Sequence, residues 1–177
     1  MKALSKSLQH QVKATLPKRL KKRSNTEKKL NRSYPANKSY DKAIGISREF
    51  NIKPYLCNFL QAKSDLLYKI KDYNNCRAIN DEAHQIANEL NDPGQIFNSE
   101  LMECKLTAQE DQDKAVGTLT GMIGKESEEV NRAVLSYEIW QINKSEKHKT
   151  VALELFKKLY EGSENFDYKA IIDELEK

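Results

Sequence analysis

The chain has 177 residues, 38% of them hydrophobic and 32% charged, which is long enough for a domain with a real core and too apolar for a disordered composition. No window approaches the ~18 apolar residues that span a membrane, and the N-terminus, "MKALSKSLQHQVKATL", lacks the apolar segment of a secretory signal. The three cysteines, Cys57, Cys76 and Cys104, are odd in number and show no CxxC spacing, which argues against a disulfide scaffold or a zinc site and suits a reducing cytoplasm.

Residues 1–39 hold 12 Lys/Arg against one acid, Glu27, while residues 40–177 hold 18 Lys/Arg against 25 acids. This predicts a basic arm over 1–39, flexible or partly helical, ahead of an acidic folded body over 40–177. The densest part, "PKRLKKRSNTEKK", contains Lys18, Arg19, Lys21, Lys22, Arg23, Lys28 and Lys29. Such a run either binds nucleic acid or an anionic surface, or is a solvated tail. Leu4, Leu8, Val12, Leu16 and Leu20 recur every four residues, a candidate amphipathic stripe that Pro17 would break late.

The body has few glycines and prolines, is rich in Leu, Lys, Glu, Ala and Ile, and shows no useful period-2 run, so it is expected to be all-α. About seven helices are predicted from Tyr40 onward. Leu56, Phe59, Leu60, Leu66, Leu67 and Ile70 make one amphipathic run, with Pro54 near its start. The polar "KDYNN", 71–75, follows as a tight link. A second run from about Asn75 places Ile79, Ala83, Ile86, Ala87 and Leu90 on one face, until Asn91-Asp92-Pro93-Gly94 stops it.

The pattern recurs. "DKAIG" at 41–45 returns as "DKAVG" at 113–117. Small residues open the second helix of each unit at Ala43, Cys76, Ala115 and Ala152, separated by 33, 39 and 37 residues. Small side chains there let paired helices approach closely. Two helices per unit at this period are the mark of an α-solenoid. The third unit reads "VNRAVLSYEIWQIN", a longer turn "KSEKHK", then "TVALELFKKLYE". The closing piece, "DYKAIIDELEK", offers Ile171, Ile172 and Leu175 to the stack as a terminal capping helix.

From about Tyr40 to Lys177 the chain resembles tetratricopeptide repeats, and among them the longer variety, with units of about 40 residues, found in bacterial regulators and in C-terminal regions of signalling ATPases and nucleotide cyclases. "KSDLLYKIKDYNNCRAINDEAHQIANELND" is similar to that family's "A-x-L-L-x-x-x-G-D-Y-x-x-A…A-x-x-I-A-x-x-x-x-D". Asp72, Tyr73 and Ala83 match. Cys76 replaces the usual alanine and Lys71 the usual glycine, and Gln112 stands where the second unit should carry its aromatic. "DKAIGISREFNI" looks like only the second half of a unit, so the array is expected to start mid-repeat, as in a remnant or piece of a longer regulator.

The resemblance implies antiparallel helix hairpins stacked as a short right-handed α-solenoid. It also implies a non-enzymatic scaffold that binds a peptide or helix of another protein along the first helix of each unit. In the clearest unit the groove candidates are Asn58, Gln61, Asp65, Tyr68 and Lys69. Two other readings stand beside it: a nucleic-acid-associated protein using the basic arm, and the detached sensor or coupling region of a cyclase- or ATPase-type regulator. Oligomeric state is left open.

No phosphate-binding, dinucleotide or nucleophile-elbow motif occurs, so no catalytic residue, cofactor or metal is expected. His10, His84 and His148 lie in different units. Acid pairs such as Asp81-Glu82 read as solvated helix faces. Cys57 and Cys104 read as small core residues, and Trp140 as core in preference to a stacking platform. Gly117, Gly121 and Gly124 fall in one helix; either they permit a close helix contact or that helix is locally weak.

Overall fold

A computed structural model describes residues 35–177. The seven basic residues singled out above, and the stripe from Leu4 to Leu20, lie outside the described residues. Among those described there is no strand. Eight helices follow one another: α1 (35–49), α2 (Lys53–Lys69), α3 (Tyr73–Leu90), α4 (Pro93–Thr107), α5 (Gln112–Lys125), α6 (Glu129–Asn143), α7 (Glu146–Ser163) and α8 (Phe166–Leu175). The protein is all-α, as its composition requires. Its first described helix starts ahead of Tyr40 and takes in residues 35–39, the end of the predicted arm.

One turn is used three times. Asn51, Lys71 and Asn91 each adopt the left-handed conformation, with φ of 52°, 67° and 50°. After each, the next N–H reaches back five residues: Ile52 donates to the Ser47 carbonyl (2.8 Å), Asp72 to Leu67 (2.9 Å) and Asp92 to Ala87 (3.2 Å). This is the Schellman arrangement, which satisfies the last carbonyls of a helix. The next helices start at Lys53, Tyr73 and Pro93, 20 residues apart. An aspartate caps the N-termini of α3, α4 and α5, whereas α2 starts from Ile52 without a side-chain cap. Asp72 accepts the Asn75 N–H (3.4 Å), Asp92 that of Gln95 (3.1 Å) and Asp111 that of Lys114 (2.9 Å). "KDYNN" is therefore a turn residue, a cap and the first residues of a helix. That helix begins at Tyr73, two residues ahead of the expected start at Asn75.

The helices group into two compact units, the first ending at Ile79 and the second running from Asn80 to Lys177. The core of the first unit is lined by Ile44, Leu56, Cys57, Leu60, Leu67 and Cys76. Within it the Ser64 hydroxyl lies 3.3 Å from the Cys76 sulfur, whose S–H faces the Ser64 carbonyl at 3.3 Å. In the second unit consecutive helices pack on one another: α4 on α5, α5 on α6, α6 on α7 and α7 on α8. Helix α6 is apolar on two faces. Leu135 and Ile139 join Cys104 and Leu119 in one cluster, while Ala133 joins Ala152, Phe156, Ile172 and Leu175 in another. Trp140 is partly buried against the second cluster, with the Lys144 ammonium 4.2 Å from its ring centre.

Helix α8 closes this unit as expected, burying Ile172 and Leu175. A polar clasp reinforces it. The Tyr137 hydroxyl donates to Glu174 (2.8 Å), and the Gln141 amide donates both to Tyr137 (2.7 Å) and to Glu174 (2.8 Å). Burial and then Glu174 push the Tyr137 phenol up. The amide of Gln141, followed by the Tyr137 hydroxyl, holds Glu174 below its ordinary value.

Two expectations need correction, and one open choice is decided. The third turn is not longer: only Lys144, left-handed at φ 56°, and Ser145 separate α6 from α7, and "EKHK" is already helix because Lys144 ends the turn by itself. The small residues do not all open a helix. Cys76 and Ala115 are fully buried at the fourth residues of α3 and α5, and Ala152 is buried one turn later, but Ala43 is mid-helix and half-exposed. Of the two readings of the α5 glycines, local weakness holds and close contact does not. A methyl placed on Gly117, Gly121 or Gly124 would meet nothing within 4 Å, so they only weaken the helix.

Candidate functional site

The five expected groove residues all lie on α2, in the first unit. Asn58, Asp65 and Lys69 are exposed, and Gln61 and Tyr68 are half-buried. At 58, 61, 65 and 68 they follow helical spacing and form one stripe, a residue further round the helix than the buried Cys57, Leu60, Ser64 and Leu67. The Tyr68 ring lies 5.5 Å from that of Tyr73, with a tilt of 53°. Lys63, on the far side of the buried residues from this stripe, makes an ion pair of 2.6 Å with Asp41 of α1. The stripe mixes one aromatic, one cation, one anion and two amides, a composition suited to recognising a polar partner surface.

Sequence reasoning missed a second feature. The second unit holds a cleft of about 630 Å³ walled by the end of α3 that begins at Asn80, by α4 and by α5. Helix α4 makes it possible by being apolar on two sides: Ser99, Met102 and Leu106 follow one stripe, and Phe97, Leu101, Cys104 and Ala108 another. Asn80, buried on α3, ties the wall to the floor by donating its amide to the Ser99 carbonyl at 3.0 Å. The third wall offers Thr118, Met122 and Lys125 of α5. Gly121 sits one helical turn from both Thr118 and Lys125, so no side chain projects between them.

The floor is apolar, with Pro93, Ile96, Phe97, Cys104 and Met122, and the lining carries Asp81, Glu100, Glu103 and Glu126 against Lys125 and His84. Glu126 is held below its ordinary value first by the Glu128 N–H (2.9 Å) and then by the Asn131 amide (3.0 Å). Burial, then Glu103 and Glu100, push the Cys104 thiol up to about 11. It is therefore an inert, protonated core thiol. The Nδ1 atom of His84 is shielded from water and has no hydrogen-bond partner among the described residues.

Among the described residues no cluster of His, Cys, Asp or Glu is built to hold a metal ion, and no helix is long and apolar enough to cross a membrane. No family model matches the chain, and no curated protein or solved structure matches it either.

Proposed function

We propose that the chain is a tetratricopeptide-like helical-repeat module that acts by binding another protein, without chemistry of its own. The observation that carries this reading is the repetition of one building unit. The Schellman turn and aspartate cap recur, and a small buried residue, Cys76 or Ala115, returns at the fourth position of α3 and α5. Repetition of helix pairs generates surface in proportion to length, and extended helical surfaces suit the capture of peptides or helices. The α2 stripe of Asn58, Gln61, Asp65, Tyr68 and Lys69 is the partner-binding face in this reading. The alternatives, nucleic-acid binding through the basic segment and a regulatory coupling role, have no described residue that favours them.

A photo-crosslinking amino acid introduced at 58, 65 or 69 of the full chain tests this in the native cell. Discrete protein adducts from these positions, and none from the exposed positions 154 and 161 of α7, are the expected result. Equal or absent labelling at all five would overturn it.

A further inference from the structure

We propose that the cleft of the second unit docks a basic segment of a partner protein, one carrying large apolar side chains flanked by lysine or arginine. This rests on the reading of the chain as a protein-binding module but not on the α2 stripe.

Three features of the cleft select that chemistry. Its volume, about 630 Å³, is that of sites which enclose bound groups, and Ile96, Phe97 and Met122 give it an apolar floor. Its lining is acidic, with four carboxylates against one lysine. Asp81 and Glu100 are exposed at the rim, where they act on an approaching cation before contact. The C-terminal turn of α5 ends beside Lys125 and Glu126 and adds the negative end of its dipole. The positive end of α4, at Pro93, is already answered by Asp92. Finally, His84 presents a shielded ring nitrogen with no hydrogen-bond partner among the described residues, and a peptide backbone can meet it in either tautomer. An acidic partner would bring like charges together at the rim. A purely apolar one would cover the carboxylates without compensating them.

The probe is a fluorescein-labelled peptide, Lys-Leu-Lys-Arg-Leu-Lys-Leu, followed by anisotropy on the full chain. Saturable one-to-one binding is expected. Asp81→Lys with Glu100→Lys should weaken it about tenfold or more, with unchanged helicity because both positions are exposed. Glu154→Lys with Glu161→Lys makes the same change of net charge on α7 and should alter affinity less than about twofold. Equal losses in the two double variants would reduce the effect to diffuse attraction and sink the proposal. So would equal binding of a peptide in which glutamate replaces every Lys and Arg.

The chain's own basic segment is the rival occupant. A full chain in which Lys18, Arg19, Lys21, Lys22 and Arg23 are all glutamine should bind the probe unchanged. Binding tightened about tenfold in that variant would show the segment competing for the cleft, and would overturn the assignment to a separate partner. Crosslinking from 58, 65 and 69 reads the α2 stripe alone. Loss of probe binding with those adducts intact therefore sinks this inference and leaves the module reading standing.

Discussion

Replacing Gly117, Gly121 and Gly124 together by alanine should make the protein more stable. All three lie in α5, none has positive φ, and each Cβ would project into open space. Neither backbone strain nor overpacking therefore opposes the change. Glycine in a helix interior costs about 0.8–1.0 kcal/mol relative to alanine, largely because it leaves the unfolded chain more freedom. Gly117 and Gly121 are interior and should return close to that amount each. Gly124 precedes the last helical residue, Lys125, and should return less. The triple variant then gains roughly 2 kcal/mol, which in a chain of this size raises Tm by about 4–8 °C. Urea denaturation followed by circular dichroism should show a higher midpoint with an unchanged slope. A lower midpoint for Gly121→Ala by itself would refute the reasoning, because it would mean that something packs closely on that bare face.

Ala83→Trp should lower stability by about 1–3 kcal/mol or more, since Ala83 is fully buried and has no room for an indole; an unchanged Tm would mean the phase of α3 is wrong. Lys71→Gly should raise stability by about 1 kcal/mol, because Lys71 holds a left-handed conformation that costs other residues more than glycine; denaturant midpoints of the variant and parent decide it. Glu174 has a folded-state value below its unfolded one. Its contribution is present above the ordinary glutamate value of 4.5 and is lost as pH falls through the lower folded value. Glu174→Gln should therefore flatten that part of the stability profile, as read from Tm against pH; identical acid limbs in variant and parent would count against the clasp.

Much of the fold can be read from the chain because its signals are local. Leu56, Leu60 and Leu67 mark one helix, Asn91-Asp92-Pro93-Gly94 marks the end of another, and Ile172 and Leu175 mark the closing one. The shared turn was harder to see. Asn51 and Asn91 are natural left-handed residues, but Lys71, in the same role, gives no compositional sign of it. The burial of Asn80 is hidden for a related reason. It lies on the buried stripe that runs through Cys76, Ala83 and Ala87, yet an asparagine among Asp81 and Glu82 looks like surface. Only the Ser99 carbonyl, 19 residues on, explains its burial. The cleft could not be read at all. Asp81, Glu100 and Glu126 are far apart in sequence and become one rim only when α3, α4 and α5 pack together. Gly121, by contrast, was noticed as odd, but the open space around it is a property of its neighbours.

The consecutive packing of α4 through α8 has a consequence for how this unit comes to exist. Each of those pairings closes a loop of only a few residues, so little entropy is lost before contact is rewarded. A protein assembled this way can begin at any hairpin and spread outward, and such local topologies fold fast. It can also be undone from an end. The pairing of α7 with α8 can open while α4, α5 and α6 keep their shared core, because Leu119, Leu135 and Ile139 belong to a different cluster from Ile172 and Leu175. Protection of backbone amides against exchange should therefore fall off stepwise toward Lys177, with α6 the last of these helices to let go.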